Sequence, residues 1–170
     1  MKHFILDVDG VLTDGRFYYS NEGKVYKAFG PDDNDALHFA KRYVSIEFVT
    51  GDKRGFSISE RRIADMGFGL SLVSTSKRLE WISERYDPSD VVYMGDGIFD
   101  HLVMKGCGYS IAPSNADKRT KEAARFVTSR AGGDRAVAEA CIHIVNEFFG
   151  NCADTDLDSY AAGTKAEWAV

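Results

Sequence analysis

Residues 4–13 read FILDVDGVLT, an apolar run that passes into two acids, a glycine and a threonine. A short apolar run bounded by turn-forming residues is typical of a strand buried in a parallel sheet. Further strand candidates follow at residues 45–50, 70–73, 91–94, 109–112 and 126–128. Helical stretches lie between or after them, at residues 33–43, 54–66, 77–86, 99–105, 117–124 and 134–149. This alternation predicts an α/β fold in which helices flank a parallel sheet.

The composition is that of a single globular domain. The 170 residues are 44% hydrophobic and 28% charged, which allows a buried core and argues against a disordered chain. A net charge of −5 disfavours binding to nucleic acid or to an anionic membrane. An acid at Asp7 disfavours a signal peptide, and no window approaches the roughly 20 apolar residues of a membrane span. Three cysteines form no disulfide framework, so we expect a cytoplasmic protein.

One segment interrupts the alternation. Residues 16–20 and 24–29 are rich in aromatic and β-favouring side chains, and they flank an Asn-Glu-Gly turn at residues 21–23. This pattern predicts a β-hairpin flap over residues 16–29. Its aromatic side chains need a surface to pack on. That surface is either the hairpin's own domain or another subunit.

The end of the chain has no clear period. Residues 151–170 combine three aspartates with small residues, so this tail is predicted either to be disordered or to dock on a neighbouring subunit. We therefore divide the chain into a domain over residues 1–150 and a tail over residues 151–170.

Acidic residues follow two of the predicted strands. Asp7 and Asp9 come at the end of the first strand, and Asp96 and Asp100 follow the fourth. Functional groups of open α/β sheets collect at the carboxyl ends of the strands. Carboxylates gathered there repel one another, and a bound cation relieves the repulsion. Oxygen ligands favour a hard ion such as Mg²⁺, which also binds substrate phosphate.

Two other strand ends carry groups that suit an anion. Thr50 and Gly51 end the second strand and offer a hydroxyl and a flexible backbone N–H, whereas Lys77 follows the third strand. Acids, a metal ion, a hydroxyl and an ammonium group on one rim are what phosphoryl transfer requires.

These residues together resemble the haloacid dehalogenase-like hydrolases. Residues 7–13 resemble the first motif of that family, DxDG[VT]L[TS], and Thr50 with Gly51 resembles the second. Lys77 resembles the third motif, and residues 95–100, GDGIFD, resemble the fourth in its GDxxxD form. The resemblance implies a Rossmann-like sheet and a phosphate-ester hydrolase.

A finer resemblance covers residues 4–150. Four features resemble the 3-deoxy-manno-octulosonate 8-phosphate phosphatase group: Asp-Gly at residues 14–15, the hairpin, Lys-Ala-Phe at residues 27–29 and the segment 129–139. Related members act on 9-phosphates of sialic-type sugar acids. The resemblance implies a small phosphorylated sugar or sugar acid as substrate and a role in lipopolysaccharide biosynthesis. It also implies a homotetramer in which a neighbouring subunit closes each site.

The resemblance assigns a role to each acid. Asp7 would be the nucleophile that forms an aspartyl-phosphate, and Asp9 would be the general acid and then the base that activates water. The Asp7 carboxylate, the Asp9 carbonyl and Asp96 would hold Mg²⁺, with Asp100 beside the ion.

The same resemblance assigns the groups that hold the phosphoryl oxygens. Thr50 and the Gly51 N–H would bind the phosphoryl group. Lys77 would neutralise its charge and steady Asp7, although Arg78 is adjacent and the register of the helix leaves either cation possible.

The spacing of the motifs leaves no room for a cap domain. Asp7 and Thr50 are 43 positions apart, which the hairpin and one helix occupy. Thr50 and Lys77 are 27 positions apart, enough for one helix and one strand. An uncapped site either accepts a large substrate or is closed by another subunit.

This chain differs from the resembling group at residues expected to line the substrate-binding rim of the site. Those phosphatases usually carry Arg-Lys after the second motif, where this chain has Asp52 and Lys53. The resembling phosphatases also carry an Arg-Asp-Gly-x-Gly stretch after the hairpin. In this chain Asp33 matches the acid of that stretch, but the arginine and both glycines are replaced. Arg135 stands where those phosphatases usually have glycine. The candidate substrate-binding residues are Gly51, Lys53, Asp33 and Arg135. Octulosonate phosphate and other sugar phosphates both stay open as substrates.

Other functions are compatible with the same motifs. A catalytically idle domain used for oligomerisation is disfavoured by the intact Asp7, Asp9, Lys77 and Asp96. A monomeric protein with an open site would suit a phosphatase of nucleotides or proteins. A phosphotransferase that uses the same aspartyl-phosphate is a further alternative.

Overall fold

The computed structural model describes residues 1–150 and 153–163, with side chains described outside residues 151–155 and 164–170. Its strands are β1 (His3–Asp7), β2 (Tyr18–Ser20), β3 (Gly23–Tyr26), β4 (Ser45–Thr50), β5 (Leu70–Leu72), β6 (Val91–Met94), β7 (Tyr109–Ala112) and β8 (Phe126–Val127). Its helices are α1 (Asp33–Ala40), α2 (Phe56–Asp65), α3 (Arg78–Ser83), α4 (Asp100–Met104), α5 (Lys118–Ala123), α6 (Ala136–Phe149) and α7 (Ala153–Gly163). The predicted alternation of strands and helices is confirmed.

A six-stranded parallel sheet forms the centre of the molecule, in the order β5-β4-β1-β6-β7-β8. The order reverses at β1, which pairs with β4 on one side and β6 on the other. A crevice opens outside the carboxyl ends of the strands at such a reversal. The ends of β1, β4 and β6 therefore meet at one place, and each carries a predicted site residue.

The core lies on both faces of the sheet. Phe4 and Leu6 of β1 join the apolar cluster that contains Ile144 of α6. Ile5 points to the opposite face and joins Ile82 of α3 in a second cluster. This alternation follows from the two-residue period of a strand, and burial on both faces explains the unbroken apolar run at residues 4–6.

The predicted hairpin is present as an antiparallel pair of β2 and β3. A backbone bridge between Thr13 and Phe29 closes its base. Its aromatic side chains are not covered within one chain: Tyr19 is 59% exposed and Tyr26 is 71% exposed. Of the two surfaces that sequence analysis left open, the hairpin's own domain does not cover these rings.

Part of the tail is helical. α7 packs Tyr160 against Phe39 of α1, with ring centroids 5.9 Å apart. The sequence of this segment carries too few apolar residues to show a period, so tertiary contacts decide its structure. The rest of the tail lies outside the described residues. Among the described residues, none of the helices is both long and apolar enough to cross a membrane.

Candidate active site

Three carboxylates meet at the carboxyl ends of β1 and β6. Asp7 ends β1, Asp96 follows β6 and Asp100 begins α4, and one oxygen from each lies within 4.8 Å of the others. The two strands are neighbours and parallel, so the fold brings together residues that are far apart in sequence. A set of hard oxygen donors at this spacing fits a divalent cation such as Mg²⁺.

Arg78 fills the position opposite the carboxylates. Its Nη1 lies 2.6 Å from Asp7 Oδ2 and 3.1 Å from Asp100 Oδ1, and its Nη2 lies 3.0 Å from Asp7 Oδ1. The same Nη1 donates to the Tyr93 hydroxyl, which in turn donates to Asp100 Oδ1. The Arg78 side chain is only 2% exposed, so its charge is held by these partners and not by water. A planar guanidinium suits this two-pronged contact.

The structure corrects the prediction that Lys77 supplies the cation. The Lys77 side chain is 68% exposed and its Nζ lies 2.7 Å from Glu80. Lys77 ends a 3-10 turn and α3 begins at Arg78, so the two neighbouring side chains leave the backbone in different directions. The alternative that sequence analysis left open, Arg78, occupies the buried position.

The carboxylate of Asp9 turns away from this cluster toward the hairpin. Its Oδ1 lies 2.7 Å from Nζ of Lys27, and its Oδ2 accepts a long hydrogen bond of 3.4 Å from Oγ1 of Thr50. The Thr50 hydroxyl also accepts from the backbone N–H of Asp52. Asp9 and Thr50, both predicted site residues, are thus in contact. The predicted use of the Asp9 carbonyl as a metal ligand stays a prediction.

Gly10 lets the loop after β1 pass close to Asp96. Its φ is +82°, and a Cβ added there would lie 2.0 Å from Asp96 Oδ2. Both features require glycine, because a side chain would be strained and would displace the carboxylate.

We expect Gly10→Ala to lower the maximal rate by about 10- to 100-fold and to raise the Mg²⁺ concentration needed for half activity, since Asp96 must move. Phosphate release over a Mg²⁺ titration measures both effects. Gly67→Ala is the matched control, because Gly67 has a φ of +76° but nothing lies within 4 Å of its added Cβ. Equal losses in both variants would contradict a specific clash with Asp96.

Burial and mutual repulsion change how readily the carboxylates ionise. Burial raises the pKa of Asp7 to about 6, with the Asp100 charge adding to the rise and Arg78 opposing it. Burial also raises the pKa of Asp96 to about 8, and the charges of Asp7 and Asp100 add to the rise. The ionised forms of Asp7 and Asp96 are therefore disfavoured unless a cation binds in addition to Arg78.

This arrangement predicts that the metal-free protein loses stability as pH rises. The folded pKa values of Asp7 and Asp96 lie above the unfolded value of 3.8, so the folded state binds more protons between about pH 4 and pH 8. In EDTA we expect the melting temperature to be lower at pH 8 than at pH 5 by about 5 °C or more. Mg²⁺ should restore most of the loss at pH 8, because it binds the ionised form. Asp96→Asn should flatten the slope; a slope unchanged in that variant would contradict the assignment.

The predicted substrate-binding residues divide into three groups. Gly51 and Lys53 are exposed on the loop after β4, next to Thr50. Arg135 is exposed and pairs with Asp32. The structure corrects the prediction for Asp33, which is 1% exposed. Its Oδ1 accepts a hydrogen bond of 2.9 Å from the backbone N–H of Ala138. This N–H lies in the first turn of α6 and has no partner within the helix, so Asp33 caps α6 instead of facing substrate.

Four groups that shape the site were not predicted from the sequence. Tyr93 and Lys27 contact the predicted acids, and Asp52 holds Lys27 through an ion pair of 2.9 Å. Asn115 donates to the Gly10 carbonyl and accepts from Gly132, which fastens the loop after β1 to the segment before α6. Two of the four carried a signal: Lys27 belongs to the Lys-Ala-Phe stretch of the finer resemblance, and Asp52 departs from the arginine that is usual in the resembling group.

Comparisons with known proteins agree with this geometry. Residues 77–140 match the family model of haloacid dehalogenase-like hydrolases. The chain is 35% identical over 147 residues to 3-deoxy-D-manno-octulosonate 8-phosphate phosphatase KdsC of Escherichia coli strain K12, a match that covers 83% of this chain and 77% of that protein.

Two solved structures share the fold. The Moraxella catarrhalis 3-deoxy-D-manno-octulosonate 8-phosphate phosphatase, in complex with a magnesium ion, a phosphate ion and KDO, superposes with a TM-score of 0.81 at 25% identity over 94% of this chain and 93% of that one. The cobalt-bound deoxy-D-mannose-octulosonate 8-phosphate phosphatase of Haemophilus influenzae gives 0.80 at 27% identity over 95% and 96% of the two chains.

Proposed function

Since this chain belongs to the haloacid dehalogenase-like hydrolases and is a phosphatase of that family, we propose that it hydrolyses a small phosphorylated sugar or sugar acid. The observation that carries the proposal is the buried cluster of Asp7, Asp96 and Asp100 with Arg78 against it. It supplies a nucleophile, metal ligands and a fixed cation at one point. We propose Asp7, Asp96 and Asp100 as the side chains that hold Mg²⁺.

The relatives support the substrate class. The bacterial relatives compared above are named for the 8-phosphate of 3-deoxy-D-manno-octulosonate, and one of their structures contains KDO beside magnesium and phosphate. We propose this sugar acid 8-phosphate, or a sialic-type 9-phosphate, as the substrate of this chain. Lys53 and Arg54 are exposed at the rim and are suitable cations for a sugar carboxylate.

The proposed mechanism has two steps. In the first, an Asp7 carboxylate oxygen attacks phosphorus; the ester P–O bond breaks, an aspartyl-phosphate forms, and Asp9 gives its proton to the leaving sugar oxygen. In the second, a water oxygen attacks phosphorus while Asp9 takes the water proton; the aspartyl P–O bond breaks and Asp7 is regenerated. Bound Mg²⁺ would neutralise charge on the phosphoryl oxygens.

Other side chains orient the reacting groups. The Arg78 guanidinium holds both oxygens of Asp7 and so fixes the direction of the nucleophile. Thr50 ends β4 and Gly51 follows it, and we propose that the Thr50 hydroxyl and the Gly51 N–H bind phosphoryl oxygens. Precise positioning of this kind is worth several orders of magnitude in rate.

A substrate panel tests the proposal. Phosphate release is measured for sugar phosphates, the octulosonate 8-phosphate, a sialic-type 9-phosphate, nucleotides and a phosphopeptide, each with Mg²⁺ or EDTA. The proposal expects metal-dependent turnover with the highest kcat/KM for a sugar or sugar-acid phosphate. A preference for nucleotides or phosphopeptides would replace the substrate class, and a folded protein inactive on the whole panel would point to an idle oligomerisation domain.

We also propose that residues 1–150 form the catalytic unit and that the protein assembles as a homotetramer through the hairpin. The exposed rings of Tyr19 and Tyr26 support this proposal, because large apolar side chains grouped at a protrusion usually meet a partner. The mass of the particle in solution tests it: a monomer would contradict the proposal.

A further inference from the structure

We propose that Lys27 is a positioning residue that holds the acid–base carboxylate of Asp9, and that Asp52 keeps Lys27 in place. The proposal rests on the proposed function, in which Asp9 moves a proton to and from the substrate. It goes further by linking the base of the hairpin to that proton transfer.

The ammonium group of Lys27 is buried and contacts three side chains. Nζ lies 2.7 Å from Asp9 Oδ1, 2.9 Å from Asp52 Oδ2 and 2.7 Å from Ser59 Oγ, and the side chain is 0% exposed. The contact with Ser59 is a hydrogen bond donated by Nζ, and the contacts with Asp9 and Asp52 are ion pairs. Asp9, Asp52 and Ser59 lie in three separate segments of the chain, so Lys27 joins the loop after β1, the loop after β4 and helix α2.

Fold stability alone does not account for such a group. A buried ammonium and carboxylate lose their hydration, and packed apolar side chains of similar size are often at least as stabilising. What the ion pair adds is a fixed cation beside one oxygen of Asp9, which favours one orientation of that carboxylate. Asp9 pairs with the Lys27 ammonium through Oδ1 and accepts a long hydrogen bond from Thr50 on Oδ2.

Asp52 holds Lys27 in place through an ion pair. It stands directly after Thr50 and Gly51, and its side chain is 14% exposed. One oxygen accepts from both Lys24, at 2.5 Å, and Lys27, and the other accepts the Gly55 N–H. Although burial acts in the opposite direction, the two lysines and Gly55 lower the pKa of Asp52 to about 2. Asp52 therefore stays ionised as an anchor for the hairpin lysines.

The role of Lys27 has a chemical signature. A sugar phosphate has an alkoxide leaving group, which needs a proton from Asp9 as the bond to phosphorus breaks. An aryl phosphate such as 4-nitrophenyl phosphate has a leaving group that is already a weak base and needs little help. Asp9 also acts in the second step, which is the same for both substrates, so the comparison uses kcat/KM, which reports the first step. If Lys27 only supported the fold, its loss would lower kcat/KM on both substrates to the same extent. If it positions Asp9 as the acid, the loss in kcat/KM is selective.

The experiment compares Lys27→Met with wild type in the full-length protein, on the best sugar phosphate and on 4-nitrophenyl phosphate. We expect kcat/KM on the sugar phosphate to fall by about 100-fold, the low end of general acid catalysis. On 4-nitrophenyl phosphate we expect kcat/KM to fall by about threefold or less. The melting temperature of each variant shows whether it is folded.

Lys24→Met is the matched control. Lys24 lies on the same hairpin and pairs with the same Asp52, but in the described part of the chain its ion pair is with Asp52 and not with Asp9. We expect a small loss that is equal on both substrates. Asp52→Asn is the second variant, which keeps the side-chain shape and removes the charge that anchors Lys27. It should show the selective loss to a smaller degree, and it decides the question if Lys27→Met does not fold.

The outcomes separate this proposal from the proposed function. A folded wild type that releases phosphate from no compound contradicts the proposed function itself. An active wild type with an equal loss on both substrates in Lys27→Met, or no loss, contradicts the role of Lys27 alone. A selective loss in Lys24→Met as large as that in Lys27→Met also contradicts it.

Discussion

Asp7→Asn is expected to abolish phosphate release, lowering kcat on the best sugar phosphate by about 10⁴-fold or more. The carboxamide that replaces the carboxylate is uncharged and is a poor nucleophile, so the aspartyl-phosphate does not form. The substitution also removes one of the three charges of the proposed metal cluster. Phosphate release at saturating substrate and Mg²⁺ measures the loss. Single-turnover assays at high enzyme concentration detect any slow residual activity.

The loss should occur in a folded protein. Arg78 keeps its contacts with Asp100 and the Tyr93 hydroxyl when Asp7 becomes a neutral amide of the same shape, although it loses the charge of Asp7. We therefore expect the variant to stay folded in EDTA, with a lower melting temperature than the wild type. Asp65→Asn makes the same chemical change at an exposed residue that pairs with Arg61, and it should keep full activity. Activity of Asp7→Asn within tenfold of wild type would rule out Asp7 as the nucleophile.

Arg78→Met is expected to have the second largest effect, on both rate and stability. Removing the guanidinium leaves Asp7 and Asp100 buried without their cation, and breaking a buried pair in this way costs about 3–5 kcal/mol. We expect kcat to fall by about 10³-fold, since the nucleophile also loses its fixed orientation. Denaturant unfolding in EDTA and phosphate release with Mg²⁺ measure the two effects.

Two companion variants make the prediction specific. Arg78→Lys keeps the charge but cannot contact Asp7 in two places and also reach Tyr93, so its rate should lie between those of wild type and Arg78→Met. Lys77→Met should stay within about twofold of wild type, because exposed ion pairs such as Lys77–Glu80 contribute little. If Lys77→Met loses as much activity as Arg78→Met, the cation has been assigned to the wrong residue.

The sheet and the carboxylate cluster could be predicted because each has a local signature. The apolar run at residues 4–6 is read directly from the sequence, and the acids that follow β1 and β6 are placed by the rule that functional groups collect at strand ends. Once the strands were identified, Asp7, Asp96 and Asp100 had to lie near one another, as they do.

The choice between Lys77 and Arg78 could not be made in the same way. It depends on where a 3-10 turn becomes an α-helix, and no capping side chain marks that point: neither Ser74 nor Lys77 makes a capping hydrogen bond. A shift of one residue exchanges a buried side chain for an exposed one. The boundaries of short helices are the least predictable feature of a sequence.

The remaining groups depend on contacts between distant segments. Lys27 is 18 positions from Asp9 and 32 from Ser59, and no periodicity links them. Asp33 was predicted to bind substrate because it matches an acid of a stretch that the resembling phosphatases carry, but its partner is a backbone N–H at the start of α6, 105 positions away. Such pairings appear only when the packing is known.

The central place of β1 also determines when the site can form during folding. β1 lies at the start of the chain, yet it pairs on one side with β6, so that His3 is in register with Val91. Pairings between such distant segments form slowly, and a parallel sheet has few local contacts to guide them. During synthesis, β1 leaves the ribosome long before β6, and its apolar residues need protection in the interval. The site therefore requires the pairing of β1 with β6, and no fragment that ends before residue 100 contains all three carboxylates.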